Sequence, residues 1–464
     1  MGGGPGGYPA AFYAADLGMK VTVIDKELNP GGVCLFKGCI PSKALLHVAK
    51  VLNESKEAKA WGIDFGETTV DIDKLRSFKE SVVTKLTGGL GMLSKQRGVE
   101  FIQGTATFVD SHTLSVETVD GKTRELKFEK AIIATGSRPT KIPGLSIDSP
   151  RVVDSTGALE LPFIPKNMLV IGGGYIGLEM ATVYHAIGAE MTVVEMTPNL
   201  LPSADRDLVQ PLQKRLTKQF KEFKMKTKVS RLEDVGDSVK VTFEDDKGNV
   251  SEENFELVLM SIGRRPNSEG FGLENTEVKV NERGWIETDS QRRTHDSHIW
   301  AIGDVAGEPM LAHKATYEGK VAVQAIMGKR SVYDPAAIPA VVFTDPEIAW
   351  AGLTEIEAKD QGIAIKVAKF PWSASGRATT LDRSDGLTKL ITHPETEQIL
   401  GIGICGPGAG ELIAEGTLAI EMGATVEDLS LTIHPHPTLS ETVMESAEAY
   451  YGHSPHFYQP KKKK

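Results

Sequence analysis

The sequence predicts an α/β fold: two Rossmann-like dinucleotide-binding domains and a third, C-terminal domain. Three observations carry this. A glycine-rich turn, Gly2-x-Gly4-x-x-Gly7, opens the chain ahead of a helix and a strand that ends in Asp25. The same pattern returns between Asn167 and Glu195. From about Pro335 the composition changes, and strands alternate with helices to the end. A chain of 464 residues is also too long for one core, and its length suggests about three domains.

In the first copy, the glycines let the backbone approach a pyrophosphate, and the start of a helix over Pro9–Leu17 stabilises its charge. Lys20–Asp25 reads as a strand, and Asp25 would accept from a ribose hydroxyl. The fingerprint needs a strand before its first glycine, yet only Met1 precedes Gly2. The expectation is a first domain lacking that central strand, in a chain whose native start lies before Met1. The second copy is complete. Asn167-Met-Leu-Val-Ile-Gly172 gives strand and turn, Gly174, Tyr175, Gly177 and Glu179 open the helix, and Met191–Glu195 supplies the second strand and acid. Two copies imply two dinucleotides, or one dinucleotide bound twice.

Between the copies lie helical stretches over Lys43–Ala60 and Asp73–Arg97, then hairpin-like strands over Val99–Phe128. Lys130–Pro139 reads as a buried strand ended by turn residues. A similar ending recurs at Leu257–Pro266, and His298–Asp304 is strand-like. Pro339–Glu347 reads as strand then turn.

Chemistry concentrates in Gly31-Gly32-Val33-Cys34-Leu-Phe36-Lys37-Gly-Cys39-Ile-Pro41-Ser-Lys43. The chain has only three cysteines, and two stand here behind a glycine pair, spaced to close a small redox-active disulfide loop. Cys39 precedes Pro41, a residue favoured in a first helical turn, so its sulfur should sit near a helix start and favour thiolate. Cys34 is expected in a loop, as the more accessible sulfur. Lys43 falls one turn into the helix, where it can turn inward. Thiol exchange also needs a proton carrier. His436 is the candidate, with Glu441 in reach of one ring nitrogen and a proline on each side. His434 reads as structural, and Cys405 as a buried core thiol.

Composition sets further bounds. Hydrophobic residues at 40% and charged residues at 25% are ordinary for a globular protein. A net charge of −10 argues against a nucleic-acid partner. The Lys461–Lys464 end reads as a solvated tail. No membrane span or signal peptide is expected, low cysteine use fits a reducing, cytoplasmic setting, and no metal site is expected.

These motifs together resemble the pyridine-nucleotide disulfide oxidoreductases. GGxCxxxGCxPSK, ATGSRP, GGGYIGLE, GRRPN, AIGD, MLAHKA and HPHPTLSE occur in that family's order and span nearly the whole chain. The nearest branch oxidises dihydrolipoyl groups for 2-oxo acid dehydrogenase complexes. The resemblance implies FAD and NAD as cofactors, and a C-terminal α+β interface domain that forms a homodimer. It divides the chain into an FAD domain (1–145 and 266–335), an NAD domain (146–265) and the interface domain (336–464). By resemblance Cys34 is the thiol that meets substrate, and Cys39 the thiol that meets the flavin. Lys43 and Glu179 would pair beside the flavin. FAD would be held by Gly2, Gly4, Gly7, Asp25, Gly31, Gly32, Lys43, Gly104, Thr135, Gly136, Ser137 and Asp304, with Met310, Leu311, Ala312 and His313 setting a helix start at the flavin pyrimidine. NAD would be held by Gly172, Gly174, Gly177, Glu195, Val229 and Gly263, and Tyr175 would cover the flavin. Glu195 would accept from a ribose 2′-hydroxyl and repel a 2′-phosphate, favouring NAD over NADP. His436 would serve the disulfide of the second subunit. Partners would be lipoyl domains of E2-type acyltransferases or the glycine-cleavage H protein.

Val33, Phe36 and Lys37 depart from the family's usual residues. Val33 replaces a threonine whose hydrogen bond would contribute about 1 kcal/mol. Two alternatives remain: another disulfide reductase of the superfamily, or a catalytically impaired flavoprotein that acts as a binding partner. The mercuric type is disfavoured because a second cysteine pair near the C-terminus is absent, and the glutathione type by Glu195.

Overall fold

The structure, a computed structural model, describes residues 1–458. The tail Lys461–Lys464 lies outside the described residues. The fold is α/β, with two Rossmann-like units and a C-terminal α+β unit.

In the first unit, the strand Thr22–Asp25 pairs in parallel with Glu100–Asp110, which continues into the antiparallel strands Thr113–Thr118 and Thr123–Lys127. Ala131–Ile133 instead pairs with Ile299–Ala301 in a separate two-stranded parallel sheet. The seam between these sheets is where the fingerprint needs its first strand. Met1 and Gly2 occupy it. The Met1 amino group donates to Ile132 O at 2.9 Å, Ala134 N donates to Met1 O at 2.8 Å, and Gly2 N donates to Ile24 O at 2.8 Å. Two residues therefore tie both half-sheets where a full strand was wanted. Behind the seam, the helix Gly7–Asp16 buries Ala10, Ala11 and Ala14. Its small residues let it lie close to the helix Ala312–Ile326, where Gly319 faces Gly6 and Ala10.

The second unit holds five parallel strands in the order Glu222–Met225, Glu190–Glu195, Asn167–Ile171, Leu257–Met260, Val152–Val153. Its central strand is an unbroken apolar run, with Met168, Leu169 and Val170 fully buried, as a strand covered on both faces requires. The strands Thr227–Asp234, Val239–Asp245 and Val250–Phe255 form an antiparallel sheet beside it.

The third unit is a five-stranded antiparallel sheet in the order Ala340–Val342, Ile348–Gly352, Ile399–Cys405, Leu387–Thr392, Lys366–Pro371. Helices Ala409–Glu421 and Glu441–Tyr451 bury Ile413, Ile420, Val443 and Ala447 against Leu390, Ile402 and Ile404.

Several expectations shift at their ends. The stretch Lys130–Pro139 is not one strand: it breaks after Ile133, and Ser137–Pro139 joins another sheet. There it pairs antiparallel with Arg264–Pro266, so the two similar endings seen in the sequence bind each other. The helix expected over Lys43–Ala60 begins earlier, at Cys39, and tightens after Glu57 into a short 3-10 turn. His298–Asp304 is a strand only over Ile299–Ala301, and Gly303–Ala306 is a 3-10 turn.

The second and third units are joined by a buried ion cluster. Lys389 is fully buried on the strand Leu387–Thr392. Its Nζ lies 2.5 Å from Asp205, 2.8 Å from Asp207 and 2.8 Å from Glu355. Lys369 also reaches Asp207 at 2.7 Å and Glu355 at 3.2 Å, so removing Lys389 leaves the buried Asp205 carboxylate as the one without a cation. Lys389→Ala is expected to destabilise the protein by about 3–5 kcal/mol, the cost of breaking a buried pair, visible as a lower urea midpoint. An unchanged midpoint contradicts this account.

Candidate active site

The redox segment begins with a forced turn. Gly31 and Gly32 have φ of 153° and 56°, in the left-handed region, and a side chain on Gly32 would collide with the backbone of Gly4. The close approach leaves a bare backbone groove between the two glycine segments. Cys34 then falls within a short helix, Gly32–Lys37, rather than a loop. Gly38 breaks that helix, and Cys39 starts the next one, Cys39–Glu57. Cys39 is exposed on the side that faces a cavity, and Cys34 is partly exposed. The cause is position, since Cys39 opens its helix at the cavity while Cys34 is enclosed by its own turn.

Both sulfurs are free thiols in this structure. Their mutual hydrogen bond makes them unequal. The neighbouring Cys34 and the Lys43 charge draw Cys39 below the usual thiol range, against burial and the Glu179 charge. Cys34 is pushed far up by the same bond and by burial.

Lys43 Nζ lies 2.8 Å from Glu179 Oε2 and over the Phe343 ring, 4.4 Å from its centre. Glu179 is only 3% exposed. It also accepts from Ser42 Oγ at 3.0 Å and from Phe343 N at 3.1 Å. Ser42 and Phe343 were not singled out in the sequence. Ser42 stood inside the cysteine motif, whereas nothing local marks a backbone amide at Phe343.

The thiols open into a cavity of about 560 Å³. Gly2, Gly4, Asp25, Gly32, Thr135, Ser137, Asp304, Met310 and Ala312 line it. Gly31, Leu311 and His313 flank this wall rather than line it, and the His313 ring binds Pro339 O. Gly7 packs beneath, where a side chain would meet Gly2 O. Gly104 also lines the cavity, Gly136 lies beside Ser137, and Lys37, which pairs with Glu27 at 2.6 Å, stands at the rim with Val33. Ser137 donates to Asp304 Oδ2 at 2.5 Å and accepts from Arg264 Nε at 2.7 Å. Thr135 donates to Asn267 O at 2.7 Å. Arg264 and Asn267 were not assigned from sequence, although the GRRPN motif contained both. The cavity fits FAD: a groove free of side chains for a pyrophosphate, a strand-end carboxylate for a ribose, and a thiol at the wall for a flavin.

The second fingerprint repeats the first in atomic detail. Gly3 N donates to Asp25 Oδ2 at 2.5 Å and Glu27 N to Oδ1 at 2.9 Å. Gly173 N donates to Glu195 Oε2 at 2.7 Å and Thr197 N to Oε1 at 2.8 Å. Gly172 has φ of 107°, and a side chain on Gly177 would meet Gly172 O. Gly263 forms a left-handed turn with φ of 105°. Val229 is buried in the core beside Val194 and does not line the large cavity. The helix Tyr175–Ala186 begins at Gly174 and sends both Tyr175 and Glu179 into that cavity. Burial raises the Tyr175 hydroxyl to about 12. One helix start thus serves the second glycine loop and the redox centre.

His436 stands apart. Its Nδ1 lies 2.8 Å from Glu441 Oε1, and Thr438 N donates to Glu441 Oε2 at 2.7 Å. Burial raises Glu441, but the Thr438 amide and the His436 imidazole outweigh it and hold the carboxyl low. His436 is 73% exposed and lines a different cavity from the one holding Cys34 and Cys39. His434 is tied down, with Nε2 2.7 Å from Glu415. Cys405 is fully buried.

Two dinucleotide loops, a flavin-sized cavity and a thiol pair define a flavin- and nicotinamide-linked disulfide oxidoreductase. Residues 1–319 match the pyridine nucleotide-disulphide oxidoreductase family, residues 338–447 match its dimerisation domain, and the chain belongs to that family. It is an oxidoreductase that uses FAD and NAD(H). Among its relatives, dihydrolipoyl dehydrogenase of Haemophilus influenzae is 48% identical over 97% of this chain and 94% of its own. The proteins of that name from Vibrio cholerae and Geobacillus stearothermophilus are 48% and 46% identical, each over 97% of this chain and 95% of its own. The crystal structure of LpdA from Mycobacterium tuberculosis superposes with a TM-score of 0.89 at 27% identity, covering 97% of this chain and 98% of that one. The flavoprotein disulfide reductase RclA of Escherichia coli gives 0.85 at 27% identity, covering 97% and 98%. No helix among the described residues is long and apolar enough to cross a membrane.

In the reduced protein, alkylation of Cys39 should rise with pH through a midpoint below that of an ordinary thiol, because Cys34 and the Lys43 charge favour its thiolate. Lys43→Met removes a cation that favours the thiolate, so the midpoint should move up. Mass spectrometry of the alkylated peptide reads this, and a midpoint that stays put or falls contradicts it.

Proposed function

We propose that the protein oxidises protein-bound dihydrolipoyl groups to lipoyl groups with NAD⁺ as acceptor, as the E3 component of 2-oxo acid dehydrogenase complexes. The observation that carries this reading is the thiol pair on the wall of the flavin-sized cavity, with Lys43 fixed beside it by Glu179 at 2.8 Å. The name shared by the relatives supports the substrate.

In the oxidised protein the two cysteines form a disulfide. One substrate thiol loses its proton to His436 and attacks Cys34. The Cys34–Cys39 bond breaks, and Cys39 leaves as a thiolate stabilised by Lys43. The second substrate thiol attacks the substrate sulfur bound to Cys34. The lipoyl disulfide forms, and Cys34 leaves as a thiol. FAD, when bound, passes the electron pair from the Cys39 side to NAD⁺. Gly2, Gly4, Asp25, Gly32, Thr135, Ser137 and Asp304 hold it, with Gly7, Gly31, Gly104 and Gly136 shaping the groove and Met310 to His313 the helix start at its ring. Gly172, Gly174, Gly177, Glu195, Val229 and Gly263 form the nicotinamide-nucleotide side, and Tyr175 stands between the two. The Glu195 carboxylate disfavours a 2′-phosphate, which selects NAD over NADP.

His436 comes from a second copy of the chain. This is supported by the dimerisation-domain match and by the separate cavities of His436 and the cysteines. The FAD unit comprises 1–145 and 266–335, the NAD unit 146–265 and the interface unit 336–464. The partners are lipoyl domains of E2-type acyltransferases or the glycine-cleavage H protein, and the setting is cytoplasmic.

The protein should form NADH from NAD⁺ and dihydrolipoamide, and much less NADPH from NADP⁺. No turnover by a fully flavin-loaded dimer overturns the reading. His436→Gln should lower kcat by about 10²–10⁴-fold, the usual range for a lost acid–base group. Cys34→Ser and His436→Gln homodimers should both be impaired, yet their mixed dimers should recover activity, because one of the two sites is then intact. Absence of recovery contradicts the shared site.

A further inference from the structure

We propose that His456 is a second proton carrier on the substrate side, taking the proton that His436 must lose between turnovers and passing it to water. The proposal rests on dihydrolipoyl oxidation as the reaction.

His436 and His456 line one cavity of about 280 Å³. They are held alike. His436 Nδ1 lies 2.8 Å from Glu441 Oε1, and His456 Nδ1 lies 2.5 Å from Glu445 Oε1. The two glutamates stand one turn apart on the helix Glu441–Tyr451, so their side chains share a face. Glu445 is 3% exposed, and its second oxygen accepts from Ser454 Oγ at 2.6 Å. Ser454 Oγ in turn accepts from Phe457 N at 3.1 Å, and the Phe457 ring packs edge-on against Phe370. The segment carrying His456 is therefore pinned to the helix and to the strand Lys366–Pro371. The carboxylate fixes the proton on Nδ1 and leaves Nε2 as the exchanging atom. Among the described residues nothing bonds Nε2 of either ring.

The titratable groups on the cavity wall are His436, Glu441, Glu445 and His456. The remaining wall, from Phe370 to Thr379 and at Thr442, is uncharged. His456 acts on the neighbouring pair: against burial, and after the Thr438 amide and His436, it helps hold Glu441 low.

The proton balance leaves one proton for such a group to carry. Oxidation of the dithiol gives up two electrons and two protons. A hydride leaving to NAD⁺ removes both electrons and one proton, so one proton remains for water. It starts on His436, because Cys39 is held as thiolate. His436 must shed it before the next dithiol arrives. The cavity has room for several waters, at about 30 Å³ each, to connect the two rings.

The test compares the unsubstituted holoenzyme with His456→Gln and Glu445→Gln, at matched flavin content and dimer fraction, in dilute non-imidazole buffer. His456→Gln should lower kcat for dihydrolipoamide by about tenfold, less than the 10²–10⁴-fold of a group that acts on the substrate itself. Added imidazole should restore it and leave the unsubstituted enzyme unchanged. Glu445→Gln, which keeps the ring but loses its fixed tautomer, should show a smaller loss with the same rescue. Full activity of His456→Gln in dilute buffer overturns the proposal, and so does a loss that imidazole does not restore. An inactive unsubstituted holoenzyme instead overturns the functional reading itself.

Discussion

One buried carboxylate, Glu179, holds the three units of the molecule in register. It stands on the helix that opens the second glycine loop. It accepts from Ser42 and Lys43 of the first unit and from the Phe343 amide of the third. A carboxylate at 3% exposure is costly unless its oxygens are filled, and here a cation, a hydroxyl and an amide fill them. The same contacts that pay for this burial fix Lys43 beside Cys39. Domain docking and thiol tuning are therefore one interaction, and loosening either loosens both.

The two glycine loops show how one physical solution is used twice. Each ends its second strand in an acid whose two oxygens accept from the second glycine of the turn and from the amide two residues further on. The acid thus shapes its own loop before any ribose is bound. The flanking sheets are not equivalent. The second unit has a full apolar central strand, whereas in the first Met1 and Gly2 make three backbone hydrogen bonds across the seam. The groove of the first loop still keeps its form, because Asp25, Gly3 and the close contact of Gly4 with Gly32 lie on one side of that seam.

What was legible in the sequence was local. The glycine spacings, the strand-end acids, the cysteine pair and the reach from His436 to Glu441 are all set within a few residues, and each appears where the pattern put it. What was not legible depended on partners far along the chain. The exposure of Cys39 over Cys34 follows from which helix end faces the cavity. The division of Lys130–Pro139 between two sheets follows from its pairing with Arg264–Pro266. Arg264, Asn267 and the Phe343 amide act through residues about a hundred or more positions away, which periodicity cannot reveal. Glu445 looks like an ordinary helix residue until Ser454 and His456 fold back onto it.

The inequality of the two sulfurs has a further consequence. A thiol–thiol hydrogen bond is symmetric in principle, and its direction must be set by the surroundings. The Lys43 charge acts on both sulfurs, but Cys39 stands four residues before it on the same helix, at the first turn, where negative charge is favoured. Negative charge on the pair is therefore favoured at Cys39, on the cavity wall. Cys34 keeps its proton and gains no base from its own surroundings. A base for the substrate thiol has to arrive from elsewhere, and the exposed His436, already oriented by Glu441, is built to be delivered. The proposed shared site uses that division: the sulfur assigned to the flavin is tuned within the chain, and the base proposed for the substrate comes from a second copy.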